Sequence, residues 1–450
     1  MRVRNPRTGA YDYEIPDCTT AQLIKCCKKL RNGQDAWLRM GINNRIAVLQ
    51  EWKKLIIANK ELLVGALASD TGRKWETTAE VDWVIDAIDK WCTTANHFYN
   101  VSPNWIPYQL VTVISPWNFP LALSMMDTIP ALLSGAAVLV KPSEITPRFI
   151  EVINKTILAV PGLHQILLFT PGDASIGALM VDQADLVCFT GSVNTAKKIA
   201  LAASKKLTPV LMEIGAKDPA IVLAGANLEL AANAIIKGST TNAGQNCLSF
   251  ERIYVHESIH DQLVDLLVEK TKKLELTVED FTNGKIGPII FEKQVLTINT
   301  HLEDAKALGA IILTGSDHCE EIHGGFYCRP TIVVNVTHNM LLMKEETFGP
   351  IMPIMSFSNS EELIELANAT PYSLGAGVFA ATEEEALDIA IRINAGSVSI
   401  NEAALTAILH YGDNLSFNMS GVGGLRIGQE NLSRFLKKQT IHLLKKSNSH

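Results

Sequence analysis

The chain has 450 residues, 47% hydrophobic and 19% charged, with a formal net charge of −7. This is the composition of a globular protein with room for two or three domains, and it excludes a disordered or low-complexity chain. The negative balance argues against a nucleic-acid surface, which needs a basic stripe.

The opening MRVRNP leads into no apolar run, so no secretion signal is expected and a cytoplasmic location follows. Residues 19–98 carry apolar side chains at helical spacing, for example Ile46, Leu49, Trp52, Leu55 and Ile56. The most basic stretch, IKCCKKLR at 24–31, reads as the wet face of an early helix. From residue 110 the texture changes. Strand-length apolar runs at 111–115, 137–141, 166–169, 186–189 and 210–214 alternate with helical patterns at 121–134, 147–160, 174–181 and 194–206. That alternation predicts an α/β fold with a doubly wound parallel sheet and a ligand crevice at the carboxyl ends of its strands. The longest apolar region, 111–140, is broken by Pro116, Pro120, Asp127, Pro130 and Gly135, so no membrane span is expected. A second α/β region follows, with a helix at 228–243, a strand at 252–255, a helix at 259–274 and further pairs through 286–400.

Eight cysteines contain no Cys-x-x-Cys pair, so neither a zinc ribbon nor a redox dithiol is indicated. Seven read as small hydrophobes; Cys247, following Gly-Gln-Asn in a turn that leads into a strand, stands apart. His256-Glu-Ser-Ile-His260 spells a zinc motif, but His256 ends a strand and Ser258 reads as the cap of the next helix, so no metal is expected. Gly375-Ala-Gly377-Val-Phe-Ala380 resembles a dinucleotide motif without the strand before it and the helix after it, and reads as an apolar strand. Phe189-Thr-Gly191-Ser192 lies at a strand-to-helix turn, where free N–H groups suit a phosphate; a plain serine cap fits equally well.

Six motifs stand in order: Pro116-Trp-Asn-Phe-Pro120, Lys141-Pro-Ser-Glu144, Phe189-Thr-Gly-Ser192, Glu213-Ile-Gly215, Gly244-Gln-Asn-Cys247 and Glu345-Glu-Thr-Phe-Gly-Pro350. This set, from about residue 5 to about residue 440, resembles the NAD(P)-dependent aldehyde dehydrogenase superfamily. The resemblance implies that Cys247 is the nucleophile, Glu213 the general base for hydrolysis, and Asn118 an oxyanion-hole donor with the Cys247 N–H. A thiol suits this chemistry, because thiolate is strongly nucleophilic and leaves readily from a thioester. Ile114, Pro116 and Trp117 would line the cofactor crevice, with Lys141 and Glu144 at the adenosine ribose. Ser192 would lie by the pyrophosphate and Glu346 and Phe348 by the nicotinamide ribose and ring, with Phe189, Gly191 and Ile214 as further cofactor-binding residues. Glu144 favours NAD over NADP, because a carboxylate accepts from a ribose hydroxyl and repels a phosphate.

The resemblance also implies a division into an NAD-binding domain (1–88 and 108–219), a shortened oligomerisation hairpin (89–107), a catalytic domain (220–420) and a C-terminal segment (421–450) with an oligomerisation strand. A homodimer acting on a small aldehyde is the expected assembly. Two rivals stay open: a CoA-acylating member, which would not need Glu213 as a hydrolytic base, and a non-catalytic binding or structural protein on the same fold. The sequence departs from the family at Glu213-Ile-Gly-Ala216-Lys, where a second glycine is usual. It departs again at SFNMSGVGG (416–424), where relatives carry Phe-Gly-Gly-x-Lys-x-Ser-Gly.

Overall fold

The computed structural model describes residues 1–101, 105–279, 282, 284–403, 415–424, 431–440 and 442. Four helices, Thr20–Arg39, Gly41–Ala58, Lys60–Thr71 and Trp75–Val101, account for the helical periodicity near the N-terminus. Leu49, Trp52 and Ile56 are fully buried on the expected face, and Trp52 satisfies its indole N–H on Thr156 Oγ1 (2.9 Å). On the first helix Lys25, Lys28 and Lys29 are exposed, as a wet face requires. Among the described residues no helix is long and apolar enough to cross a membrane.

Five parallel strands follow in the spatial order Val210–Glu213, Leu186–Thr190, Leu110–Ile114, Ala137–Lys141 and Leu167–Phe169. Three of them are buried throughout, as a sheet covered by helices on both faces demands. Chain order and spatial order diverge beside Leu110–Ile114, the arrangement at which open α/β sheets bind ligands at their strands' carboxyl ends. Register puts Ile114 opposite both Lys141 and Phe189, and Thr190 opposite Glu213. Ile114, Lys141, Phe189 and Glu213 thus lie together at the carboxyl end of one sheet.

A second sheet has the order Ile311–Thr314, Thr331–Val334, Ile351–Phe357, Phe250–His256, Asp218–Val222, Gly375–Phe379 and Ser397–Ile400. Only its first strand runs antiparallel to its neighbour. The short strand Gly421–Val422 returns to the first sheet and pairs with Val210–Glu213, Gly421 facing Glu213.

Residues 75–101 form one continuous helix, so the segment expected as a hairpin from 89 is helical through 101. Its apolar period runs on through the buried Ile88, Trp91, Cys92 and Ala95. The strand described there is Trp105–Pro107, and it pairs antiparallel with Leu436–Lys438 of its own chain. The expected helix at 228–243 stops at Thr240, because Asn242 and Ala243 turn left-handed. His256 ends a strand and His260 opens a helix, so the two are not one turn apart on one helix face. Ser258 does not cap that helix; it lies in a short 3-10 turn and donates its N–H to His256 Nδ1 (3.3 Å).

Gly375-Ala-Gly377 lies in a fully buried strand, and packing explains the second glycine. A Cβ on Gly377 would sit 2.5 Å from the Phe250 ring, which is wedged between this strand and Gly238. Gly377→Ala is therefore expected to destabilise the fold by about 1–3 kcal/mol through overpacking, while dinucleotide affinity is unchanged. Urea denaturation alongside a cofactor titration checks both halves; unchanged stability with lost affinity would restore the dinucleotide reading of the motif.

Candidate active site

Cys247 is presented by a loop with unusual backbone. Asn242, Ala243 and Gly244 all have positive φ (55°, 53° and 73°). A Cβ on Gly244 would lie 2.2 Å from the backbone of Gly349, so only glycine allows this approach. The two non-glycine residues are held by side-chain amides. Asn242 Nδ2 donates to Asn118 O (3.1 Å) and to Gln245 O (3.0 Å). Buried Gln245 donates to Asn242 O (2.8 Å) and Pro288 O (3.2 Å), and its Oε1 accepts from Ile290 N (2.8 Å). Cys247 itself is half-buried, its thiol directed at Asn246 Oδ1 (3.8 Å). Five of the other cysteines are buried, while Cys18 and Cys26 are half-buried.

Asn118 belongs to the turn after strand Leu110–Ile114 and is buried. Its Nδ2 donates to Gln245 O (3.1 Å), two residues before Cys247. The structure thus brings Asn118 and the Cys247 loop together by hydrogen bonds in both directions. Glu213 is buried at the end of its strand; its carbonyl accepts from Gly191 N (3.1 Å), tying it to the turn that opens helix Val193–Ser204. Ile214 next to it donates to Ser420 O (2.8 Å), so the divergent 416–424 segment packs directly beside Glu213.

Several of the expected cofactor residues lie at or just beyond the strand ends of the first sheet. Lys141 is buried and its Nζ reaches Glu144 Oε2 (3.1 Å), while Glu144 is exposed. Ser192 caps helix Val193–Ser204 by accepting from Thr195 N (3.4 Å). The Phe189 ring lies against Gly191, where a Cβ would come within 2.7 Å of it. Ile114 is buried at its strand end, and Pro116 and Trp117 are half-buried. Trp117 meets Phe348 edge-on, ring centroids 5.5 Å apart.

Phe348 is fixed by charges that sequence reasoning missed. Lys217, just before strand Asp218–Val222, and Glu251, on strand Phe250–His256, form a buried ion pair (2.6 Å). Glu251 also accepts from Thr347 N and Phe348 N, both at 2.7 Å, and Lys217 reaches Thr347 Oγ1 (3.1 Å). These bonds hold Phe348 at a φ of 51°, a conformation that costs on the order of 1–3 kcal/mol. Glu346 Oε1 accepts from Ala216 N (2.9 Å), at the position where the sequence departs from the usual second glycine. The available signal was a glutamate and an arginine inside the apolar strand of FERIYV, and a lysine entering the apolar run DPAIV.

With that geometry in place, comparison with known proteins is decisive. The model of the aldehyde dehydrogenase family matches residues 1–441. The chain belongs to the aldehyde dehydrogenase family. It is 32% identical to a Mycolicibacterium smegmatis protein named Putative succinate-semialdehyde dehydrogenase, NADP(+), over 96% of this chain and 87% of that one. Among solved structures it resembles Putative Aldehyde Dehydrogenase PutA from Anabaena variabilis (TM-score 0.96, 47% identity, 100% and 98% of the two chains). It also resembles a betaine aldehyde dehydrogenase point mutant from Staphylococcus aureus in complex with NAD+ and carrying a BME-modified cysteine (TM-score 0.90, 26% identity, 100% and 94%). The α/β fold with parallel sheets and the enzyme class expected from the motifs both agree with these matches.

Packed protein around the carboxyl and the neighbouring Glu251 carboxylate push Glu346 up to about 8, although the residue keeps some exposed surface. A carboxyl raised in this way binds more protons folded than unfolded between its ordinary 4.5 and about 8. Its share of stability is therefore lost as pH rises through that window. Glu346→Gln keeps an acceptor for Ala216 N and cannot ionise. The variant should gain stability relative to the parent between pH 5 and pH 9, read from urea midpoints; a constant difference would contradict the shift.

Proposed function

We propose that the enzyme oxidises an aldehyde to a carboxylic acid with NAD through a covalent intermediate on Cys247. The observation that carries this reading is the buried Asn118 amide fixed on the backbone of the loop that presents Cys247. The Cys247 thiolate attacks the aldehyde carbon and forms a thiohemiacetal. The oxygen that becomes anionic is stabilised by Asn118 Nδ2 and the Cys247 N–H. For this, Asn118 shares the donor that it directs at Gln245 O. A nicotinamide bound beside Cys247 would supply the hydride acceptor, and loss of hydride from that carbon would leave the acyl group on Cys247 as a thioester. Glu213 then takes a proton from the water that attacks the thioester, and the carboxylic acid leaves as thiolate returns. A general base for water also favours this reaction over acyl transfer to CoA.

A dinucleotide fits the donor set. Glu144 and Lys141 offer a carboxylate and an ammonium group to ribose hydroxyls. The capped N-terminus of helix Val193–Ser204 offers N–H groups to a pyrophosphate, and Glu346 a carboxyl to the second ribose. Betaine aldehyde dehydrogenase from Staphylococcus aureus holds NAD+ on this fold, which supports a nicotinamide cofactor here.

The choice of NAD rests on Glu144, whose charge would oppose a 2′-phosphate; the Mycolicibacterium smegmatis relative, by contrast, has NADP(+) in its name. Initial rates should give a kcat/KM at least about tenfold higher with NAD than with NADP, and Glu144→Ser should narrow that ratio. A wild-type preference for NADP would reject the assignment.

The division of labour between Glu213 and Cys247 gives a second test. Glu213→Gln should still allow attack and hydride transfer but stall at the thioester, since an amide is a poor proton acceptor. Stopped-flow absorbance should show an NADH burst near one equivalent per site, then turnover slowed about 10²- to 10⁴-fold. Wild-type steady-state turnover in this variant would remove Glu213 from the mechanism.

A further inference from the structure

We propose that Arg73 and Glu80, two buried opposite charges outside the residues described above, are positioning residues that set the catalytic placement of Asn118. The inference rests on the reading of Asn118 as an oxyanion donor. Arg73 follows the left-handed Gly72 at the end of helix Lys60–Thr71. A Cβ on Gly72 would lie 2.3 Å from Pro288, whose carbonyl accepts from Gln245 Nε2, so this helix end abuts the support of the Cys247 loop. The buried Arg73 side chain donates through Nη2 to Asn118 O, and its guanidinium carbon lies 4.5 Å from the centroid of the Phe119 ring. Glu80, buried on helix Trp75–Val101, accepts through Oε1 from Leu121 N (2.8 Å) and Ala122 N (2.9 Å). One charge therefore grips the carbonyl of Asn118, and the other grips the first turn of the helix that begins two residues later.

The pair is poorly arranged for stability. Arg73 Nε and Nη1 and Glu80 Oε2 find no hydrogen-bond partner among the described residues. Burial lowers the Arg73 pKa and raises Glu80 to about 7. The two attract each other through space but form no direct ion pair, and removing two such buried opposite charges together is often neutral for stability. What the pair does supply is a fixed backbone for Asn118, held from the N-terminal helices while Asn242 holds the same carbonyl from the Cys247 loop. A displacement of about 1 Å in such a donor can cost on the order of 10²-fold in rate.

The test compares the double variant R73M/E80Q, which removes both charges, with the parent, each with and without Asn118→Ala. Aldehyde kcat/KM, the Kd of NAD and the melting temperature are measured for all four. The double variant is expected to melt close to the parent and bind NAD normally, yet lose about 10- to 100-fold in kcat/KM. In the Asn118→Ala background the same substitutions should cost less than about threefold, because the donor they place is gone. Arg73→Lys keeps the charge and one donor and should recover part of the rate; it carries the same comparison if the double variant fails to fold. Equal losses in both backgrounds, or no loss with Asn118 present, would overturn the positioning role. Wild-type kcat/KM in Asn118→Ala alone would overturn the oxyanion assignment itself, and this proposal with it.

Discussion

The loop that presents Cys247 runs through three consecutive left-handed residues, Asn242, Ala243 and Gly244, and its neighbours are arranged around holding that shape. Two of the three carry side chains, so the conformation needs outside support. The support is a closed set of side-chain amides: Asn242 and Gln245 bond across the loop, to Asn118 on one side and to Pro288 and Ile290 on the other. Because Asn118 lies in the turn after a strand of the first sheet and Ile290 belongs to the second half of the chain, the loop is fixed from both at once. The Cys247 thiol, the proposed nucleophile, is thereby placed by the backbone geometry of its loop.

The opposite wall depends on charge. Lys217 and Glu251 pair where water is excluded, and burial pulls the lysine pKa down. Such a pair is costly to assemble, but the Glu251 carboxylate also accepts two backbone N–H groups of the 346–348 segment. Removing that acceptor would leave those donors and the Phe348 backbone without their partner. The Trp117 ring, in the turn after a strand of the first sheet, meets Phe348, so the two sides are also joined through an aromatic contact.

Much of this was legible in the sequence. The parallel strands could be read because each is a short apolar run bounded by glycine, proline or polar residues. Their carboxyl ends then gave the row containing Ile114, Lys141, Phe189 and Glu213. Where local periodicity and family resemblance disagreed, periodicity was the better guide: Trp91, Cys92 and Ala95 continue the helix that a hairpin was expected to replace. The end of helix Leu228–Thr240 was missed because Asn242 and Ala243 are compatible with helix on their own, and only the partners Asn118 and Gln245 turn them left-handed. Lys217, Glu251, Arg73 and Glu80 were missed for a related reason. A charged residue defaults to the surface, and its burial is decided by a partner distant in sequence.

The central claim is that Cys247 carries the acyl group during turnover. The most direct measurement is acid quenching of the wild-type enzyme in steady state with NAD and an aldehyde, followed by peptide mapping by mass spectrometry. The account predicts an acyl group on the peptide containing Cys247 and on none of the peptides carrying the other seven cysteines. An adduct on another residue, or sustained turnover in Cys247→Ala, would contradict it.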